Sequence, residues 1–187
     1  GLRQPIQNAF HALAIDELGG DFLPTLWTIK DTTKSEPRAL ANVEQRWFAG
    51  AHANVGGGYE SDPLSQQPLQ WMVKKADGLG LQFKRTLADL SIEKSQIIDS
   101  YGAFMGGAYR KVSRPAIRRI GTEPYLIDGV MSSTINETID ASVFQRMRQD
   151  PQYSPPSIKE WAARRGVTPK DIVSSVMTQN PGIQLEQ

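Results

Sequence analysis

The stretch WFAGAHANVGGGY, residues 47–59, places one histidine directly behind a β-prone run and three glycines behind that histidine. The run that leads into it, NVEQRWFAGA, predicts a strand at about Val43–Ala49. Farther along, apolar residues recur at the spacing of a helix, after a serine suited to the N-cap and before glycines suited to the stop. These residues are Ser65, Leu69, Met72, Val73, Ala76, Gly78 and Gly80. Strand, turn and helix in this order predict the α/β fold class.

His52 is the candidate catalytic residue of this loop. A neutral imidazole that takes a proton from a hydroxyl nucleophile and returns it to a leaving group must reach both partners, and a loop beyond a strand end allows this. Gly56, Gly57 and Gly58 allow a tight turn and a close approach of the backbone. Two alternatives stay open. The histidine can be an ordinary loop residue held by backbone hydrogen bonds, or the glycines can cradle a phosphate, although Gly-x-Gly-x-x-Gly and Gly-Lys-Ser/Thr are both missing.

The composition limits the class of protein. The 187 residues carry 21 Lys+Arg against 20 Asp+Glu, a net charge of +1, so the broad basic surface of a dedicated nucleic-acid binder is excluded. There is no cysteine, and the two histidines are His11 and His52, so thiolate and histidine-rich metal sites are excluded as well. No stretch has the length and apolarity of a membrane-spanning helix, and the first residues lack the apolar core of a signal peptide, so we expect a soluble protein.

The flanking segments are predicted to be mainly helical. Apolar spacing predicts an amphipathic helix from Pro5 to about Leu18, with Gly19 and Gly20 as its stop. Capping patterns predict three late helices. They are Ser142 with Gln145, Ser157 with Glu160, and Thr168 and Pro169 with Asp171, the last opening a helix towards Asn180.

Four phrases of the sequence occur in an order typical of one family. Over about residues 5–160 the chain resembles the uncharacterised α/β-hydrolase family that includes type VI secretion phospholipase effectors. The phrases are HALAIDE (11–17), WFAGAHANVGGGY (47–59), LSQQPLQWMVKKADGLGL (64–81) and IDASVFQRMRQDPQYSPPSI (139–158).

The resemblance implies an α/β-hydrolase fold with a Ser-Asp-His triad, in which the histidine of Gly-x-His-x-x-Val-Gly-Gly-Gly corresponds to His52. It implies a serine esterase that acts on phospholipid or another acyl ester, with no metal or organic cofactor. It also implies delivery by a secretion system and an immunity or secretion component as a partner. A Gly-x-Ser-x-Gly elbow and the family's Asp-Thr-Val phrase are missing from the 187 residues.

We therefore expect the chain to be the C-terminal portion of the fold, with the late strand, the histidine loop and flanking helices in residues 1–115 and a mostly helical extension in 116–187. By itself it should be inactive, and the reading frame upstream should encode the elbow serine and the aspartate. The alternative from another class is a non-catalytic protein-binding module or a decayed paralogue related to secretion-system effectors.

Asp16, His11, Trp71 and Trp161 are further residues considered for the site. Asp16 is a tempting substitute for the missing acid, although such a carboxylate more often binds a backbone amide or an arginine; His11, Trp71 and Trp161 are expected to pack. Five cations in one segment are a candidate for contact with an anionic membrane surface, at about 1 kcal/mol per cation. The usual explanation of such a segment is a solvated face with ion pairs. The cations are Arg110, Lys111, Arg114, Arg118 and Arg119.

Overall fold

A computed structural model of the chain describes residues 6–30, 42–60, 62–84, 95–121, 125–127, 129–171 and 182–184. The chain divides into two compact units, each assembled from separate segments. The sheet unit comprises residues 1–11, 24–47 and 119–187, and the histidine unit comprises residues 12–23 and 48–118. The predicted division into 1–115 and 116–187 stays a prediction.

The first sheet consists of β1 (Ala9–Ala14), β3 (Val43–Phe48), β6 (Glu137–Asp140) and β7 (Gly182–Gln184), in the order β1-β3-β6-β7. Strands β3 and β6 are parallel, with Trp47 opposite Ile139, whereas β6 and β7 are antiparallel. Both of these facing residues are buried, as expected for a strand pair covered on both faces. The predicted strand at Val43–Ala49 and the α/β class are thus confirmed.

The described residues of the sheet unit also include a small antiparallel sheet and late helices. The sheet has the order β2-β5-β4, from β2 (Thr28–Lys30), β4 (Tyr125–Ile127) and β5 (Val130–Thr134). Helices α5 (Ala141–Gln149) and α6 (Pro156–Arg164) confirm two of the three late helices.

The starts of these late helices differ from the predicted capping boxes. Asp140 is the N-cap of α5, because its carboxylate accepts a hydrogen bond from the Ser142 amide at 3.0 Å. Helix α6 begins at Pro156, a residue suited to a first turn. The predicted helix from Thr168 towards Asn180 lies mostly outside the described residues.

The histidine unit is built from short helical segments. They are a 3-10 turn (Gly20–Phe22), α1 (His52–Gly56), a second 3-10 turn (Pro63–Ser65), α2 (Gln66–Asp77), α3 (Ser100–Ala103), a third 3-10 turn (Phe104–Gly107) and α4 (Tyr109–Val112). Helix α2 is the predicted second helix, and it ends at Gly78 as expected. Its Trp71 is buried against Phe48, with ring centroids 5.6 Å apart, which confirms a packing role. Of the described helices, none has the length and apolarity needed to cross a membrane.

The predicted N-terminal helix is wrong, because residues 9–14 form strand β1. Hydrogen bonding to the β3 segment continues one residue beyond β1, where the Ile15 amide donates to the Phe48 carbonyl at 3.0 Å. Leu13, Ala14 and Ile15 are consecutive and all buried, a pattern that suits an interior strand. Short apolar runs carry no periodicity that separates such a strand from a helix.

Candidate active site

His52 lies four residues beyond the end of β3, as the first residue of α1. The connection turns sharply at Gly50, whose backbone φ of +115° is rarely adopted by residues that carry a side chain. The buried Asn54 side chain then holds the loop, accepting from the Ala51 amide at 3.0 Å and donating to Asp62 at 2.7 Å. These contacts fix the backbone position from which the His52 side chain extends.

Asp16 binds the backbone of this loop. Its carboxylate accepts from the Gly50 amide at 2.7 Å, while its own amide donates to the Gly50 carbonyl at 3.1 Å. The Asp16 side chain is thus engaged by the loop backbone, and the carboxylate at the His52 ring belongs to the next residue.

Glu17 is the carboxylate that contacts the imidazole. Its Oε2 lies 2.5 Å from His52 Nδ1 and accepts from the Ser100 hydroxyl at 2.6 Å, and its Oε1 accepts from the Gly19 amide at 2.6 Å. The side chain is fully shielded from solvent. Burial raises the pKa of this carboxyl, but the hydrogen bonds from Ser100, His52 and Gly19 outweigh it and hold the pKa below its ordinary value. Glu17 is therefore an ionised carboxylate at neutral pH.

The imidazole itself is partly open to solvent, with 40% of its side chain exposed. Phe22 stacks on its face, with ring centroids 4.2 Å apart and planes 11° from parallel. Because Nδ1 is engaged by Glu17, Nε2 is the nitrogen left to exchange a proton with another molecule. Within the described residues no hydrogen bond to Nε2 is formed.

The segment that carries Glu17 is itself fixed by a buried arginine. Arg118 donates from Nη1 to the Ala14 carbonyl at 2.7 Å and from Nη2 to the Phe22 carbonyl. Burial lowers the pKa of Arg118 to about 10, although the nearby Glu17 charge acts in the opposite direction. Arg118 is only 4% exposed, so its predicted contact with a membrane surface is wrong.

The other predicted cations are at the surface. Arg110 pairs with Asp99, and Arg119, in the sheet unit, pairs with Glu160 at 3.2 Å, whereas Lys111 and Arg114 are exposed. The His11 ring packs against Trp27 in a tilted arrangement, with centroids 5.2 Å apart, also in the sheet unit, which agrees with a packing role. Trp161 is buried on α6. The structure therefore separates the five cations into surface groups and one core residue.

The glycines behind His52 have distinct local roles. Gly57 is the left-handed residue that ends α1, with φ of +80°, while Gly56 lies inside the helix. A Cβ at Gly58 would meet the Ala53 Cβ at 3.0 Å, so this glycine permits a close approach of the chain to α1. In the described part of the chain, no group of three or more His, Asp or Glu side chains is arranged to hold a metal ion.

Sequence reasoning missed Glu17, Ser100 and Phe22. The signal for Glu17 was present, because it follows Asp16 in HALAIDE and lies just beyond a strand that neighbours β3. Polar residues beyond the ends of neighbouring strands commonly form sites in α/β sheets. The helical interpretation of residues 5–18 concealed this position. Ser100 and Phe22 carry no sequence signal, since only folding brings them to Glu17 and His52.

Comparison with known protein families gives a match over the first part of the chain. Residues 1–75, which include both Glu17 and His52, match the family model described as type VI secretion system (T6SS), phospholipase effector Tle1-like, catalytic domain. No curated protein and no solved structure matches the chain. The family match supports a phospholipase-like function, and it confirms, for the first 75 residues, the resemblance of this chain to the type VI secretion phospholipase effectors.

Proposed function

We propose that this chain supplies the histidine base and its orienting carboxylate to the active site of a serine esterase of the phospholipase type. The observation that carries the proposal is the 2.5 Å contact between His52 Nδ1 and the buried Glu17 carboxylate. A carboxylate in this place fixes the tautomer that presents a basic Nε2, and it stabilises the imidazolium formed when Nε2 takes a proton. The family match of the segment that contains both residues supports the same chemistry.

The catalytic cycle follows from this pair. His52 Nε2 accepts the proton of a serine hydroxyl as the serine oxygen attacks the acyl carbonyl, and it later donates that proton to the departing alcohol oxygen. Water then hydrolyses the acyl-enzyme with His52 as the base. Glu17 stays ionised throughout and acts by orientation and charge.

The nucleophile belongs to a Gly-x-Ser-x-Gly elbow outside these 187 residues, because they contain no such motif. Ser100 is not assigned this role, since its hydroxyl proton is directed at Glu17 Oε2. The α/β-hydrolase topology is part of this proposal, whereas the upstream aspartate of the family pattern is replaced as the orienting acid. Glu17 takes the position next to Nδ1 that the triad acid would otherwise occupy.

The proposal is tested on the natural polypeptide that contains this chain, with phospholipid vesicles as the substrate. His52→Gln should lower the hydrolysis rate by about 10⁴-fold or more, because the glutamine side-chain amide cannot accept the proton of the serine hydroxyl. Glu17→Gln should lower the rate by about 10²–10⁴-fold. His11→Gln is the matched control and should leave the rate within about threefold, since His11 packs beside Trp27.

Two results would contradict the proposal. One is hydrolysis that survives His52→Gln. The other is an upstream reading frame that lacks Gly-x-Ser-x-Gly, which would favour the non-catalytic binding module. The present chain without that upstream segment should hydrolyse no ester, because the base then has no nucleophile to activate. Delivery by a secretion system and neutralisation by an immunity protein are further parts of the proposal.

A further inference from the structure

Large apolar side chains are exposed in residues 104–114 of the histidine unit, which we call the 104–114 surface. Phe104 is 44% exposed, Met105 71% and Val112 84%. Scattered single apolar residues are normal on protein surfaces, but here three lie within nine positions of one short segment. A patch of this kind marks a contact with another apolar phase or molecule.

The exposed apolar side chains lie on a turn with an unusual backbone conformation. Met105 has φ of +52°, in the left-handed region that a side-chain-bearing residue rarely occupies, and the two glycines after it are left-handed as well. The base of the turn is fixed, because the Tyr101 hydroxyl donates to the Ser113 carbonyl at 2.6 Å and the Tyr109 hydroxyl donates to Asp21 at 2.6 Å. The apolar side chains are therefore displayed on an anchored turn.

The charged residues of the segment itself are all basic. Residues 100–114 contain no acidic residue. Arg110 is engaged by Asp99, but Lys111 and Arg114 are exposed and form no ion pair with the described residues. Apolar side chains flanked by unpaired cations are complementary to anionic lipid, which offers acyl chains and phosphates together.

The patch is also linked to the candidate active site. Phe104 meets Phe22 edge to face, with centroids 5.8 Å apart, and Phe22 stacks on His52. A bilayer that contacts Phe104 would thus lie two aromatic rings from the imidazole.

We propose that the 104–114 surface docks on anionic phospholipid bilayers, with Phe104, Met105 and Val112 in the interface and Lys111 and Arg114 at the headgroup phosphates. Its purpose, to bring ester bonds to His52, rests on the proposed function. The binding itself requires no hydrolysis.

The test is cosedimentation of the chain with vesicles of phosphatidylglycerol and phosphatidylcholine, with vesicle-free samples to correct for aggregation. Met105→Asp and Val112→Asp should each weaken partitioning on the order of tenfold, because a charge replaces an inserted apolar group. Lys111→Gln and Arg114→Gln should each weaken it about fivefold at low salt. Matched controls are Val167→Asp and Lys159→Gln, exposed residues of the sheet unit, which should change partitioning less than twofold.

Several outcomes would overturn docking. They are absence of binding to anionic vesicles, equal binding to pure phosphatidylcholine, or controls as harmful as the test variants. His52→Gln separates docking from catalysis, because it should bind vesicles like the wild type. If this variant binds vesicles but the natural polypeptide hydrolyses no phospholipid, the proposed function is wrong and the docking proposal stands. If the natural polypeptide hydrolyses phospholipid but the substitutions in the 104–114 surface do not weaken partitioning, only the docking proposal is wrong.

Discussion

Glu17 Oε2 receives three donors, the His52 ring nitrogen, the His52 amide at 3.3 Å and the Ser100 hydroxyl. A buried carboxylate is costly unless its oxygens are satisfied, and here both of them are. The same bonds that keep Glu17 ionised also limit the directions in which the imidazole can point. Ser100 is therefore a positioning residue, which acts on His52 through Glu17.

Ser100→Ala should raise the pKa of Glu17 and reduce the free energy of unfolding by about 1.5–3 kcal/mol at neutral pH, the usual cost of a lost hydrogen bond to a charged group. The checks are carboxyl-carbon NMR titration of Glu17 and urea unfolding. Ser100→Thr keeps the hydroxyl and should restore both quantities. A Glu17 titration that is the same in the alanine variant would contradict the positioning role.

Glu17 should also make stability depend on pH in the acid range. Its pKa is lowered on folding from 4.5, so its contribution is present above pH 4.5 and is lost as the pH falls through the folded value. Urea unfolding at a series of pH values from 7 to 3 measures this. Glu17→Gln should be less stable at neutral pH and should lack this part of the acid dependence, while the exposed Asp77→Asn should follow the wild type.

Buried Arg118 connects the end of β1 to the loop that carries Phe22, since its guanidinium serves the Ala14 and Phe22 carbonyls. Arg118→Ala leaves both carbonyls without this donor, so it should lower the free energy of unfolding by about 2–4 kcal/mol. The exposed Arg114→Ala is the control and should cost under about 0.5 kcal/mol. Equal effects of the two changes on chemical denaturation would refute the buried role of Arg118.

The turn between β3 and α1 depends on one glycine in particular. A Cβ at Gly50 would meet the Asn54 Cβ at 2.5 Å, and its φ of +115° disfavours any side chain. Gly50→Ala should therefore destabilise the fold by about 1–3 kcal/mol and displace His52. A Cβ at Gly56, inside α1, would have no other atom within 4 Å. Gly56→Ala should therefore leave the free energy of unfolding unchanged or raise it by about 0.5–1 kcal/mol. Thermal unfolding of the two variants distinguishes these effects.

The two compact units are each assembled from segments that are distant in sequence. Strand β3 pairs with β6, and Arg118 holds the Ala14 and Phe22 carbonyls, so elements on both sides of residue 115 complete the packing around residues 1–115. A fragment of residues 1–115 should therefore show no cooperative unfolding transition, whereas the full chain should. Cooperative unfolding of the fragment by urea, monitored by circular dichroism, would support the predicted boundary at 115.

Local sequence patterns predicted part of the molecule correctly. Strand β3, helix α2, helices α5 and α6 and the loop that carries His52 followed from apolar spacing and from turn residues, which act within a few positions along the chain. The family resemblance followed from the phrases around residues 11–17 and 47–59, which the match over residues 1–75 confirms. His52 as the catalytic base stays a proposal, but its position beyond the strand end was predicted.

Long-range contacts decided what local patterns could not. HALAID has spacing compatible with a helix or a buried strand, and only pairing beside β3 made it β1. That choice brought Glu17, and not Asp16, to the imidazole. Arg118 has the same sequence context as the surface cations, yet two backbone carbonyls of distant segments drew it into the core. The amino-acid sequence by itself determined the histidine loop and its flanking elements; the carboxylate, the hydroxyl and the aromatic ring around His52 were decided by tertiary structure, because residues 17, 22, 52 and 100 meet only after folding.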